Sequence, residues 1–418
     1  MAPISIIILG AGGRGYQYST YAKAYPELAK VVAVAEPRVE FRNRMALEHQ
    51  ITPENAVDDW RKLLDRPKFA EVAIIATQDK MHVDPAVACA DKGYHILLEK
   101  PMAPTEADCR RIVNRVLQSP KIFAVCHNMR YTRYTRKVKE VVTRGVIGDV
   151  VNIQSLEPVG YWHQAHSFVR GNWRNEKESS PMLLAKSCHD LDWIRYIMGV
   201  SCLAAHSFGA LKHFRKEEKP AGAGNRCLEC GIEPLCPYSA KRLYLGGLSR
   251  GVTTWPVNVL TLDVTESGIT QALQQGPYGR CVYDCDNDVV DNQVVNLMFE
   301  GNRTASFTMT AFTDIAPRQV RIFGTMGMLV GDGIKLRHFD FLTDTWKEIV
   351  PDEAQHSVLQ GHDGGDFELM KSFISAVTKN DPNLILSGPK ETLETHLMVF
   401  AAEQARRENK VVTINIAD

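Results

Sequence analysis

The sequence predicts an α/β chain of two domains, the first built on a doubly wound parallel sheet. Three observations carry this. At 418 residues the chain is too long for one ordinary hydrophobic core. It opens on a β-branched apolar run from Ile4, followed at once by Gly10, Gly12 and Gly15 in the spacing G-x-G-x-x-G. Short apolar runs then alternate with helix-period segments to about Val125, the pattern of βα units feeding a parallel sheet.

Composition narrows the function classes. Lys plus Arg equals Asp plus Glu, so the net charge is zero, which argues against a nucleic-acid partner. No apolar run approaches the length of a membrane span, so no membrane partner is expected. The start of the chain lacks a secretory leader pattern, and a cytoplasmic location is expected. There the ten cysteines would be thiols or metal ligands, not a disulfide framework.

The glycines after the first strand supply a tight turn, room for a pyrophosphate against bare backbone, and close helix packing. Gly13 and Arg14 belong to the same turn, and the helix that follows aims its first N–H groups at the phosphates. Glu36 ends the second apolar run, Val31 to Ala35, at about the twenty-residue distance where a carboxylate bonds a ribose diol. That favours NAD, while Arg38, two residues on, leaves NADP open. Thr77, Gln78, Asp79 and His82 follow the Val72–Ala76 strand, at the edge that would meet the ribose and nicotinamide. The Tyr94–Leu98 run ends in Glu99-Lys100-Pro101, and the proline biases Lys100 toward an extended conformation. A lysine at that strand end can bond a substrate hydroxyl and stabilise charge developing on its oxygen.

Together Gly10-Ala-Gly12-Gly-Arg14-Gly15, the Ala76-Thr77 to His82 segment and Glu99-Lys100-Pro101 resemble the Gfo/Idh/MocA family (glucose-fructose oxidoreductase, inositol dehydrogenase, rhizopine catabolism). The likeness continues through Asn128-Met-Arg130-Tyr131, the Gly145-Val-Ile-Gly148 turn and the helix bearing His189. It implies an N-terminal Rossmann domain, residues 1–126, with Glu99 and Lys100 joining the glycine turn, Glu36, Arg38, Thr77 and His82 at the cofactor. It also implies a C-terminal α+β domain, residues 127–418, on a large, mostly antiparallel sheet. An NAD(P)-dependent reaction on a sugar or polyol follows by resemblance, with Arg130 and Tyr131 at the substrate and a homodimer or homotetramer as the assembly.

In the second domain, Tyr161, Trp162, His163 and His166 form a loop whose aromatic faces suit sugar rings, though such a loop can equally pack on its own domain. Pro181 to Gly199 reads as one helix, opened by proline and closed by glycine. Lys186, His189, Asp190 and Trp193 would share a face of it, and ionisable groups there are costly to bury without partners. The resemblance makes His189 the acid/base candidate, with a structural histidine as the alternative, and Asp190 a substrate ligand. Many members carry an Asp four residues before this histidine. Here that position is Ala185, which leaves Lys186, His189 and Lys100 as the catalytic candidates, with Asp192 placed to orient the imidazole.

Cys227-x-x-Cys230 with Cys236 and Cys281 suits a tetrahedral zinc, inside a cysteine-containing insert at about 213–245. An iron–sulfur cluster or a set of reduced, buried thiols would use the same residues. Asp284, Asp286, Asn287, Asp288 and Asp291 crowd one segment, as sugar ligands or as turn formers.

The leading expectation is an NAD(P)-dependent oxidoreductase of a secondary hydroxyl on a sugar, sugar derivative or polyol. His189 or a lysine would take the proton while Lys100 stabilises the alkoxide. One alternative is a glycoside-cleaving enzyme that oxidises C3 transiently, eliminates and re-reduces, as some relatives of the family do. The other is a catalytically silent nicotinamide-binding regulator, against which Lys100 and His189 count.

Overall fold

The computed structural model describes residues 2–351 and 364–416. Six parallel strands form the first sheet: β1 (Ile4–Leu9), β2 (Ala29–Ala35), β3 (Ala56–Val57), β4 (Val72–Ile75), β5 (His95–Leu98) and β6 (Phe123–Val125). Their order is β3-β2-β1-β4-β5-β6, so the winding reverses between β1 and β4. Ligands of such sheets sit beyond the carboxyl ends of the strands at that reversal. Ile6 to Leu9 are buried because helices cover both faces, which is why β1 reads as an unbroken apolar run. Five of these strands match the expected runs to within two residues, whereas β3 is too short to leave a periodic signal.

Nine strands form the second sheet: β7 (Val150–Pro158), β8 (Cys202–Ala210), β9 (Asn292–Phe299), β10 (Arg303–Thr310), β11 (Gln319–Gly324), β12 (Gly327–Gly331), β13 (Leu336–Asp340), β14 (Thr345–Ile349) and β15 (Val412–Thr413). They run β14-β13-β12-β11-β7-β10-β9-β8-β15, antiparallel except where β7 meets β10. The mostly antiparallel sheet implied by resemblance is therefore present. The helices Cys188–Met198 and Pro389–Glu408 cover one face, and Val151, Phe208, Val294 and Met298 are exposed on the strands. Between β8 and β9 the chain forms an elaboration of residues 211–291, longer than the expected insert. It has its own small core of Ala240, Tyr244, Val257, Ile269 and Leu273. Among the described residues no helix is long and apolar enough to cross a membrane.

The expected helix from Pro181 to Gly199 is in fact two, Met182–Ala185 and Cys188–Met198. The break falls at Lys186-Ser187, where Ser187 Oγ donates to Met309 Sδ at 3.2 Å and Lys186 turns to Glu157. Lys186 thus leaves the helical face it was expected to share with His189. Gly199 ends the second helix in the left-handed region, as its position predicted.

Buried polar groups tie the two sheets. Arg130 makes a two-pronged pair with Asp192, at 2.7 and 2.6 Å, and Asp192 also accepts from Thr395 Oγ1. Removing one partner of such a buried pair costs roughly 3–5 kcal/mol. The long helix Pro389–Glu408 docks back on the first domain, where His396 Nε2 accepts from the Met102 N–H at 2.8 Å.

Buried histidines make the fold sensitive to acid. Burial pushes His127 and His166 down to about 3, and His95 and His396 to about 4. The unfolded chain binds these protons near pH 6.5, so it holds more protons than the folded chain below that pH. Folded-state stability should therefore be full above pH 6.5 and fall as the pH drops toward 4. Urea melts across that range check this, and a midpoint that stays flat down to pH 4 would contradict it.

Candidate active site

Directly after β1, Gly10 takes φ +94°, and a Cβ there would lie 2.5 Å from the Ala76 carbonyl oxygen. At Gly15 a Cβ would meet the Gly10 carbonyl oxygen at 1.9 Å, so only glycine lets the helix close on the turn. The helix Gly13–Ala24 starts at Gly12 without a side-chain cap and without an acid in its first turn. Its leading N–H groups are therefore available to an anion. A Cβ at Gly13 would meet nothing within 4 Å, so there is room in front of this helix end. These features fit a dinucleotide's pyrophosphate.

Glu36, only 3% exposed, stands at the end of β2 and accepts from the Ala11 N–H at 2.8 Å. Burial pushes its carboxyl up, but bonds from Arg38 outweigh this and hold it below the usual range. Arg38 Nε lies 2.7 Å from Glu36, and its guanidinium rests 3.9 Å from the centre of the Phe41 ring. A carboxylate here suits a ribose diol, while the adjoining guanidinium softens its repulsion of a 2′-phosphate.

Other residues expected at the cofactor form the frame around it. Arg14 pairs with Glu99 and Asp366, both at 2.6 Å, and bonds the Tyr18 hydroxyl. Glu99 in turn accepts from the Lys100 N–H at 2.6 Å. The buried His82 ring joins the carbonyls of Pro101 and Thr77, at 2.8 and 3.1 Å, and Thr77 Oγ1 donates to the Met81 carbonyl.

Lys100 reaches the helix break that carries Lys186 and leads into the helix bearing His189. Lys100 Nζ donates to the Ala185 carbonyl at 2.7 Å, next to Lys186. His189 is buried one turn further on, its ring edge-on to His127 with centroids 5.6 Å apart. Lys186 Nζ lies 3.0 Å from Glu157, Arg318 Nε lies 3.0 Å from Glu157, and the same Nε lies 2.6 Å from Asp190. Four charges thus alternate in sign along one chain, its carboxylates buried and its cations partly exposed. Burial raises both carboxyls, but Arg318 and Lys186 win at Glu157, which is held below its usual range. At Asp190 burial wins, helped by the charge of Glu157, and its carboxyl is raised. Burial, and after it the charge of Lys186, push His163 well down. Trp162 and Trp255 stand beside His163 with ring centroids 6.1 and 5.0 Å away, and Trp255 is 43% exposed.

Several expectations need correction. Arg130 and Tyr131 are fully buried, Arg130 on Asp192 and Tyr131 on Ser387 Oγ and the Leu386 N–H, so they support the fold instead of lining a cleft. Asp190 is almost fully buried beneath Arg318, whose Nε donates to it at 2.6 Å. Asp192 is turned to Arg130, Thr395 and His127. Cys227, Cys230, Cys236 and Cys281 do line one cavity of about 20 Å³. Among the described residues, however, no group of three or more His, Cys, Asp or Glu is arranged to hold a metal ion. The Arg170 guanidinium reaches Cys227 Sγ at 3.4 Å, where its charge would oppose a zinc ion. The acidic segment is structural: Asp286 pairs with Arg174 and Arg280, and Asp291 accepts from the Lys212 and His213 N–H groups.

Glu157 and Arg318 were missed by sequence reasoning. The available signal was a carboxylate at an inward position of β7, where an ionised group requires a partner.

Comparison with known proteins agrees with this architecture. Residues 4–127 match a family model described as an oxidoreductase family with an NAD-binding Rossmann fold, and residues 139–414 match that family's C-terminal alpha/beta domain. The putative oxidoreductase YteT of Bacillus subtilis is 23% identical over 66% of this chain and 63% of its own length. Levoglucosan dehydrogenase of Pseudarthrobacter phenanthrenivorans is 27% identical over 48% and 52%, respectively. The 2,7-anhydro-N-acetylneuraminate hydratase of Mediterraneibacter gnavus is 28% identical over 48% and 50%. The chain thus spans between half and two thirds of these relatives' length. Among solved structures, levoglucosan dehydrogenase in complex with NADH superposes with a TM-score of 0.72 at 17% identity, covering 99% of both chains. An oxidoreductase from Agrobacterium radiobacter in complex with NAD+, L-tartaric acid and magnesium gives 0.71 at 13% identity, again over 99% of both. Likeness at such identities is one of fold. Matched across both of its sheets, the chain belongs to the Gfo/Idh/MocA oxidoreductase family.

Proposed function

We propose that the protein is an NAD-dependent oxidoreductase acting on a secondary hydroxyl of a sugar, sugar derivative or polyol. The observation that carries this is the bond from Lys100 Nζ, at the end of β5, to the Ala185 carbonyl, at the break that carries Lys186 and leads into the helix bearing His189. The sugar- and anhydrosugar-acting relatives named above support the substrate class.

In this reading Gly10 to Gly15 and Glu36 hold NAD, which when bound supplies the hydride acceptor. Lys100 bonds the reacting oxygen and stabilises its developing charge. His189, or Lys186, receives the hydroxyl proton. Trp162 and His163 offer a stacking wall to a sugar ring. The same proposal divides the chain near Cys126, pairs copies through the exposed sheet residues Val151, Phe208, Val294 and Met298, and places the protein in the cytoplasm.

A second reading is redox-neutral glycoside cleavage. Lys186, held by Glu157 at the break ahead of the His189 helix, favours it, because with His189 and Lys100 the chain offers more proton-carrying groups than a single proton transfer requires. Deuterium entering C2 of a glycoside in heavy water, without net NADH, would support cleavage; net NADH would support the dehydrogenase.

The first test incubates the protein with NAD and a panel of glycosides, anhydrosugars and inositols, following nicotinamide absorbance. Lys100→Met and His189→Ala should each lower turnover of the active compound by about 100-fold or more. Variants that keep wild-type turnover would sink the assignment. The second concerns cofactor choice. Glu36→Ser should weaken NAD about tenfold, or about 1.4 kcal/mol, while tightening NADP on the retained Arg38. Fluorescence titration with both reduced cofactors reads this, and an unchanged ratio of affinities would count against Glu36 as the ribose ligand.

A further inference from the structure

A carboxylate inside a sheet demands an explanation, and Glu157 is almost wholly buried near the end of β7. Strand register determines what surrounds it. In the parallel pairing of β7 with β10, Glu157 stands opposite Met309, whose sulfur receives the Ser187 hydroxyl. That contact sits at the break between the two short helices, so the adjacent Lys186 is delivered to Glu157 at 3.0 Å. On the other side, Gln319 opens β11 opposite Leu156, which sets the preceding Arg318 beside Glu157. The N–H of Arg318 Nε is aligned on Asp190, leaving Glu157 Oε2 a charge contact with no hydrogen bond of its own among the described residues.

We propose that Glu157 is a positioning residue for the reaction, holding Lys186 at the cleft from the neighbouring strand and supplying the carboxylate that the helix lacks at Ala185. The proposal rests on the sugar-oxidoreductase reading. Geometry assigns the role, and protonation decides between holding and accepting a proton. Glu157 faces Lys186, Arg318 and Lys100, and it remains an anion; Asp190, raised by burial, is the carboxyl of the two that more readily takes a proton. Breaking the chain at Glu157 leaves Lys186 and Arg318 to share Asp190 alone. Lys186 then loses its fixed direction, and misplacing a reacting group by about 1 Å costs on the order of 100-fold.

The test has two arms on the whole protein. In the first, acetic anhydride labels lysines and mass spectrometry follows the rate at Lys186, with exposed Lys216 as the internal reference. Glu157→Gln should raise the Lys186 rate several-fold and leave Lys216 unchanged, while Glu157→Asp should restore most of the protection. In the second, with the compound found active above, Glu157→Gln should lower kcat by about 100-fold while KM for NAD moves less than about twofold. The double variant Glu157→Gln/Lys186→Met should be no slower than Lys186→Met alone, because both changes remove one device. An unchanged labelling rate, a kcat equal to wild type, or losses that multiply in the double variant would each overturn the proposal. Faster labelling in a protein that turns over no sugar would overturn the sugar reading and leave the Glu157–Lys186 tie standing.

Discussion

The site depends on one cation. Arg14 leaves the glycine turn and places its guanidinium between Glu99, Asp366 and the Tyr18 hydroxyl. Both carboxylates are buried, and neither would be tolerable there without a partner. Three separate parts of the chain are joined at that point. The turn belongs to the phosphate end of the first sheet, Glu99 precedes Lys100 at the end of β5, and Asp366 opens the helix Gly365–Lys379. Asn128 adds a bond to Asp366 at 2.8 Å, and a Cβ at Gly365 would fall 2.6 Å from the Asn128 carbonyl. The place of Lys100 relative to the glycine turn is therefore fixed by electrostatics and close packing together.

Across the cleft the same physics is applied differently. A histidine acid/base group paired with one carboxylate on its own helix would be the economical arrangement, and Ala185 removes it. Instead the chain breaks its helix at Ser187 and brings a carboxylate from β7 and a guanidinium from the start of β11. Alternation of sign matters here. Each carboxylate touches a cation, and Arg318 touches both carboxylates, so no buried charge stands beside a like charge alone. Lys100 joins by its bond to the Ala185 carbonyl, so the first domain reaches the break itself.

Much of this was legible in the residues. The apolar run of β1, its glycines and Glu36 follow from strand burial and turn sterics, which act over short stretches of chain. The hairpin of β9 and β10 and the helix Pro389–Glu408 were equally readable, because alternation and periodicity are local. What escaped depends on distant partners. Nothing near Glu157 announces Arg318, and no helix rule foretells a break at which Ser187 bonds a methionine on β10. Arg130 and Tyr131 sat in a motif and looked functional, yet Asp192 and Ser387 claim them in the interior. The cysteine spacing suggested a metal because spacing cannot reveal that Arg170 lies against Cys227.

The central claim is that the glycine turn and the Lys100–Lys186–His189 cluster are two ends of one site. A crystal structure of the protein with NADH tests it most directly. It should show the pyrophosphate on the N–H groups at Gly13, the adenosine ribose at Glu36, and the nicotinamide ring against Lys100 and His189. A dinucleotide bound away from the turn, or lying in the turn with its nicotinamide directed away from that cluster, would contradict it.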